Sequence, residues 1–164
     1  MEIFFLRHGD ASNESFDDES RELTTLGEQQ ANAAGRTLAR LGCRPRVVAA
    51  SPLLRARQTA KIAMKHIGAD ELIVTEYLTP TADPRQLVGQ LNDWSQPSAL
   101  LVGHMPNLLT AASLLVAGTR NAGFRVGTGT MIAVETPPVA EYGNGLLKWL
   151  LSFEEMRAMN RGGS

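Results

Sequence analysis

Four times along this chain a short apolar run precedes a stretch whose apolar residues recur every three or four positions. Ile3 to Leu6 leads, through a Gly/Asp/Asn/Ser-rich loop from Gly9 to Ser20, into a segment carrying Ala31, Ala34, Leu38 and Leu41 on one face. Val47 to Ala50 precedes Leu53, Ala56, Ala60, Ala63 and Ile67, and Leu72 to Thr75 precedes Leu87, Leu91 and Trp94. Ala99 to Val102 precedes Leu108, Leu109, Ala112, Leu115 and Val116. Runs this short and uniformly apolar suit strands buried on both faces, and the following periodicity suits amphipathic helices. Strand-helix alternation of this kind predicts an α/β chain with a mostly parallel central sheet flanked by helices on both faces.

Punctuation in the sequence places the element ends. Thr25 and Glu28 stand at capping-box spacing and predict the start of the first helix, which closes at Gly42. Ser51-Pro52 ends the second strand, Gly68 the second helix, and Pro84 and Pro106 stand where helices begin. Thr130 to Glu135 and Leu146 to Phe153 read as two further strands, joined by a Pro-rich connection containing the turn pair Asn144-Gly145. They are expected to pair antiparallel at the sheet's edge. The glycine-rich stretch from Gly118 to Gly129 lacks the spacing of a phosphate-cradling loop and reads as a plain loop.

A chain of 164 residues with 43% apolar content suits one domain spanning residues 1–164. Its formal net charge of -1 argues against nucleic acid or an anionic membrane as the main partner. No apolar run approaches the roughly 20 residues of a membrane span, and the N-terminus lacks the parts of a secretion signal. Cys43 is the sole cysteine, which excludes an intramolecular disulfide and a thiolate zinc site and fits a cytoplasmic location.

In open α/β sheets, ligands bind beyond the carboxyl ends of the strands, where loops and helix N-termini converge. The first strand ends in Leu6-Arg7-His8-Gly9, the second leads through Ser51-Pro52 to Arg55, and the fourth ends in Val102-Gly103-His104. Two His and two Arg thus share one edge. This set suits phosphoryl transfer, which depends on positioning and on cations aimed at the phosphoryl oxygens. Arg7 and Arg55 supply guanidinium forks, His8 is placed to attack phosphorus, and His104 to donate to the phosphoryl group. Neighbouring guanidinium charge is expected to keep His8 neutral.

Leu6-Arg7-His8-Gly9, Ser51-Pro52-Leu53-Leu54-Arg55-Ala56-Arg57-Gln58-Thr59 and Gly103-His104-Met105-Pro106 together resemble the motifs of the histidine phosphatase superfamily, in the family's order. The resemblance implies a compact form of the phosphoglycerate mutase-like fold, His8 as nucleophile, a phosphate pocket of Arg7, Arg55 and His104, and no metal or other cofactor. Within the superfamily the chain resembles the SixA-type phosphohistidine phosphatases through Asp10-Ala11, Arg21-Glu22-Leu23-Thr24-Thr25-Leu26-Gly27 and Leu78-Thr79-Pro80. Mutases and sugar-phosphate phosphatases of the superfamily usually carry inserts that roof the pocket, whereas only residues 76 to 83 separate the third strand from Pro84 here. An open pocket suits a phosphohistidine-bearing protein as substrate. The imidazole of phosphohistidine also leaves without a strong general acid. Glu76 is the nearest candidate acid, one place before the position, here Tyr77, where SixA-like chains often carry Glu.

Plainer readings apply elsewhere. His66, late in a predicted helix, is structural, and Arg57 is a surface group. Arg21 is a candidate phosphate contact at the pocket mouth. Asp17, Asp18 and Glu19 read as a solvated acidic loop, and Asn13 is excluded because the mutase-like position falls at Glu14. The competing functions are a small-molecule phosphomonoester phosphatase using the same His8 chemistry and a non-catalytic phosphate-binding module.

Overall fold

The computed structural model describes residues 1–161. Strands β1 (Glu2–Arg7), β2 (Val47–Ala50), β3 (Ile73–Val74), β4 (Ser98–Gly103), β5 (Met131–Glu135) and β6 (Leu146–Leu151) form one sheet in the order β3-β2-β4-β1-β5-β6. β1, β2, β3 and β4 pair in parallel, while β5 runs antiparallel to β1 and to β6. This is the mixed sheet with an antiparallel edge that the alternation and its altered tail predict.

Helices α1 (Thr25–Arg40), α2 (Leu54–Ile67), α3 (Pro84–Trp94), α4 (Asn107–Ala117) and α5 (Phe153–Arg161) cover both faces. Because side chains alternate along a strand, Phe4 and Leu6 of β1 enter the core beneath α1, α2 and α5. Ile3 and Phe5 enter the core beneath α3 and α4. All four are essentially buried, and each such side chain contributes about 1.5–3 kcal/mol.

Several local expectations give way to tertiary detail. The first helix is capped by Thr24 rather than Thr25: the Thr24 hydroxyl accepts from Gly27 N at 3.1 Å, and Thr24 also donates to Asp10 Oδ2 at 2.6 Å. β3 shrinks to two residues, because Thr75 already caps a 3-10 turn at Glu76–Leu78. The last strand stops at Leu151, and Phe153 begins α5, which the apolar run to Phe153 hid. Ser152 and Glu155 exchange the two hydrogen bonds of a capping box there, Ser152 N to Glu155 Oε2 at 2.6 Å and Glu155 N to Ser152 Oγ at 3.4 Å.

The stretch from Gly118 to Gly129 contains no regular element, but it is more than a plain connection. Its Gly129 N donates to the carbonyls of Arg7 and His8, at 3.2 and 3.1 Å, and Val126 O accepts from Arg7 Nη1 at 2.8 Å. The loop therefore braces the end of β1.

Candidate active site

The end of β1 is held from all sides. His8 N donates to Gly103 O at 3.0 Å, fastening the first motif to the end of β4. Gly9 N donates to Thr59 Oγ1 at 3.0 Å, and that hydroxyl donates to Arg55 O at 2.8 Å, which ties the motif to α2. A Cβ on Gly9 would lie 2.5 Å from Gly27 O, so glycine is required where the turn meets the start of α1. Beyond it, Asp10 N donates to Gln30 Oε1 at 2.7 Å, and Ala11 bridges Leu23.

His8, Arg55 and His104 meet in this frame and are 9%, 4% and 2% exposed. The two imidazole rings are tilted by 55° with centroids 4.8 Å apart. His8 Nδ1 lies 2.7 Å from Gly9 O. A carbonyl can only accept, so this contact places the proton on Nδ1 and the lone pair on Nε2. Arg55 Nε donates to that lone pair at 3.4 Å. His104 Nε2 faces the buried Ser51 hydroxyl at 2.9 Å.

Both rings are neutral near pH 7. Burial pushes His8 down to about 4, with the charges of Arg55, Arg7 and Arg21 adding to it against the opposing Gly9 hydrogen bond. Guanidinium charge contributes as expected, but desolvation is the larger cause. Burial likewise pushes His104 down to about 3, followed by repulsion from His8 and Arg55.

The arginines divide by role. Arg7 is half-buried; its Nη1 is committed to Val126 O, while its Nε is buried with no hydrogen-bond partner. Arg55 Nη1 donates to Asp18 O at 2.6 Å and Nη2 to Asp18 Oδ2 at 2.9 Å. Asp18 stays solvent-exposed, as the acidic run suggested, but its carboxyl also pairs with Arg55, which is the chief cause holding it below the usual range. Arg21 is bound to its own loop, with Nε on Ser12 O at 2.7 Å and Nη2 on Asn13 Oδ1 at 2.8 Å. It reaches the site through its charge, which helps to depress His8.

Asn107, overlooked in the sequence, is 2% exposed, and its Nδ2 donates to the carbonyls of Tyr77, Thr79 and Ala82 at 3.0–3.2 Å. It fastens the rim segment that carries Glu76. Glu76 itself is exposed and lines a cleft beside Asp18 rather than touching either histidine. His66 lies outside the site, with Nε2 2.8 Å from Asn32 Oδ1. Among the described residues, no three His, Cys, Asp or Glu side chains cluster as a metal-ligand set, and no helix is long and apolar enough to cross a membrane.

His8, Arg55 and His104 thus bring together a neutral imidazole with an aimed lone pair, a guanidinium group and a second imidazole, with the charge of Arg7 near enough to help depress His8. Comparison with known proteins gives the family. The family model of the histidine phosphatase superfamily (branch 1) matches residues 3–79. The chain is 28% identical over 164 aligned residues to phosphohistidine phosphatase SixA of Escherichia coli, covering 93% of this chain and 94% of that protein. The solved structure of protein histidine phosphatase SixA complexed with tungstate superposes with a TM-score of 0.85 at 26% identity, covering 93% of this chain and 97% of that one. The α-ribazole phosphatase of Shigella flexneri, at 16% identity, shares the fold with a TM-score of 0.75 over 93% of this chain and 97% of that one. The chain belongs to the histidine phosphatase superfamily and is a SixA-like phosphatase.

Proposed function

We propose that the chain is a protein phosphohistidine phosphatase, folded as one catalytic domain and acting in the cytoplasm through a covalent phosphohistidine on His8. The observation that carries the reading is the tautomer of His8: Nδ1 is occupied by Gly9 O, and the Nε2 lone pair faces Arg55. An imidazole in that state attacks without first losing a proton.

In the first step the Nε2 lone pair forms a bond to phosphorus as the substrate's P–N bond breaks. The bonding pair leaves on the substrate imidazole, which takes up or already carries a proton. Arg7 and Arg55 balance the charge on the equatorial oxygens, and the neutral His104 donates a hydrogen bond to them. The proton stays on Nδ1, which goes on donating to Gly9 O and holds the phosphorylated ring in place. In the second step water attacks phosphorus, the P–Nε2 bond breaks with its pair returning to His8, and inorganic phosphate departs with the water's proton released to solvent.

Similarity to SixA over nearly the whole chain supports a phosphohistidine-bearing protein as substrate. Among the described residues no carboxyl group is hydrogen-bonded to either imidazole, an arrangement that an imidazole leaving group tolerates and an alkoxide does not. A second reading, hydrolysis of a small phosphomonoester, is kept because an α-ribazole phosphatase shares this fold. Comparing kcat/KM on a phosphohistidine protein, a phosphoserine peptide and several sugar phosphates separates the two. A P–N preference of at least a hundredfold is expected, and equal or better hydrolysis of an unactivated sugar phosphate refutes the protein reading.

A further inference from the structure

The loop between β1 and α1 holds one large apolar side chain, Phe16, fully in solvent at 108% relative exposure. The loop itself is heavily tethered. Ser15 and Ser20 hydroxyls meet at 2.6 Å, and Asp17 Oδ1 accepts from Ser20 N at 2.7 Å. Glu19 O accepts from Leu54 N at 3.0 Å, and Asp18 holds Arg55, which in turn reaches His8. Phe16 is thus displayed two residues from a direct contact to the catalytic machinery. An aromatic side chain on a pre-ordered loop is the kind of group that anchors a protein partner, because little conformational freedom remains to be lost on binding.

Asp18, two residues further along the same loop, lines a cleft of about 470 Å³ whose other walls include Glu19, Pro52, Leu53, Glu76 and Pro80. Its far wall is the segment that Asn107 fastens to α4. No cation lines the cleft. Among the described residues, Asp17, Glu19 and Glu76 pair with no Lys, Arg or His. Glu19 and Glu76 therefore leave unpaired negative charge on the cleft, next to the Asp18 carboxylate that is paired with Arg55. That field disfavours a small substrate with a second anionic group and favours a cationic one.

We propose that Phe16 and this acidic cleft are the docking surface for the phosphohistidine-bearing protein, and that its recognised segment carries a Lys or Arg flanking the phosphohistidine. The basic side chain enters between Glu19 and Glu76, and an apolar side chain of the partner covers Phe16. This assignment rests on the phosphohistidine reading above and names the surface that serves it.

The test compares wild type with Phe16→Ser and Glu19→Lys, two exposed side chains outside the phosphate pocket, with unchanged circular dichroism confirming the fold. Substrates are a phosphohistidine protein, phosphohistidine peptides flanked by Lys or by Glu, and phosphoramidate as a small P–N probe. Both variants are expected to lose at least tenfold in kcat/KM on the protein, mainly through KM, while phosphoramidate hydrolysis stays within twofold. Wild type is expected to prefer the Lys-flanked peptide, and Glu19→Lys to reverse that preference. Protein hydrolysis within twofold of wild type in both variants, with P–N preference intact, overturns the docking surface alone. A parallel fall on phosphoramidate also overturns it. A wild type that prefers sugar phosphates overturns the phosphohistidine reading and the docking surface with it.

Discussion

His8 presents its Nε2 lone pair to Arg55 Nε at 3.4 Å, and Arg55 spends both of its Nη groups on Asp18. The guanidinium is thereby oriented from behind by the backbone carbonyl and carboxylate of Asp18 and aims its Nε–H at the attacking atom. Asp18→Ala is expected to lower kcat/KM about tenfold or more and to weaken vanadate inhibition, because the fork loses its anchor; a tenfold loss corresponds to about 1.4 kcal/mol. Values within twofold of wild type for both measurements would show that Arg55 holds its position without Asp18.

His8→Ala is expected to abolish turnover while leaving the fold intact, since alanine offers no lone pair to phosphorus. Wild type treated with labelled substrate is expected to yield an acid-labile, base-stable phosphoprotein that the variant lacks. Activity within tenfold of wild type in folded His8→Ala, or activity lost on chelation and restored by added metal, contradicts this role.

The two buried imidazoles make stability depend on pH in a predictable direction. Their folded-state values, about 4 for His8 and about 3 for His104, lie below the ordinary 6.5. Between those limits the unfolded chain binds more protons than the folded one. Stability is therefore fully present above about pH 6.5 and falls as pH drops toward 4, by about 1.4 kcal/mol per pH unit for each fully differing group. Denaturant titrations from pH 7 to 4.5 should show this fall, and His8→Asn should reduce its slope. An NMR titration of His8 with a midpoint near 6.5 would contradict the assignment.

Gly27 lies against Asp10, and a Cβ on it would overlap the Asp10 carbonyl. Gly27→Ala is expected to destabilise the protein by about 1–3 kcal/mol and to impair catalysis together with stability, because the segment that must shift carries the phosphate motif. Thermal melts and kcat/KM on phosphoramidate check both effects. Unchanged values for both would mean that the turn after His8 can yield without disturbing the site.

The strand-helix alternation was legible because hydrophobic periodicity is a local property: each buried run announces its element wherever it lies in the chain. It placed Arg7, His8, Arg55 and His104 at the ends of β1, β2 and β4, and the sheet order brings those three strands side by side. It failed at α5, where Leu146 to Phe153 is one apolar run and only the reciprocal hydrogen bonds of Ser152 and Glu155 separate strand from helix. Motif order carried the family, because those residues sit at fixed offsets from the strands that position them.

What remained for the tertiary structure was every polar pairing between segments distant in sequence. The bonds from Arg55 to Asp18 span 37 residues, and the bond from Arg7 to Val126 spans 119. Nothing local distinguishes Asp18 from Asp17, which turns instead to Ser20, or marks Val126 as the carbonyl that receives Arg7. The protonation of His8 belongs to the same class. Its neutrality arises first from burial by surrounding elements and only then from the arginines that the motif displays. Sequence alone determined which residues could perform this chemistry, since residue type and strand-end position are local. Folding decided which nitrogen faces phosphorus and which carboxylate steadies the guanidinium, because both depend on backbone groups that only the assembled fold brings within hydrogen-bond distance.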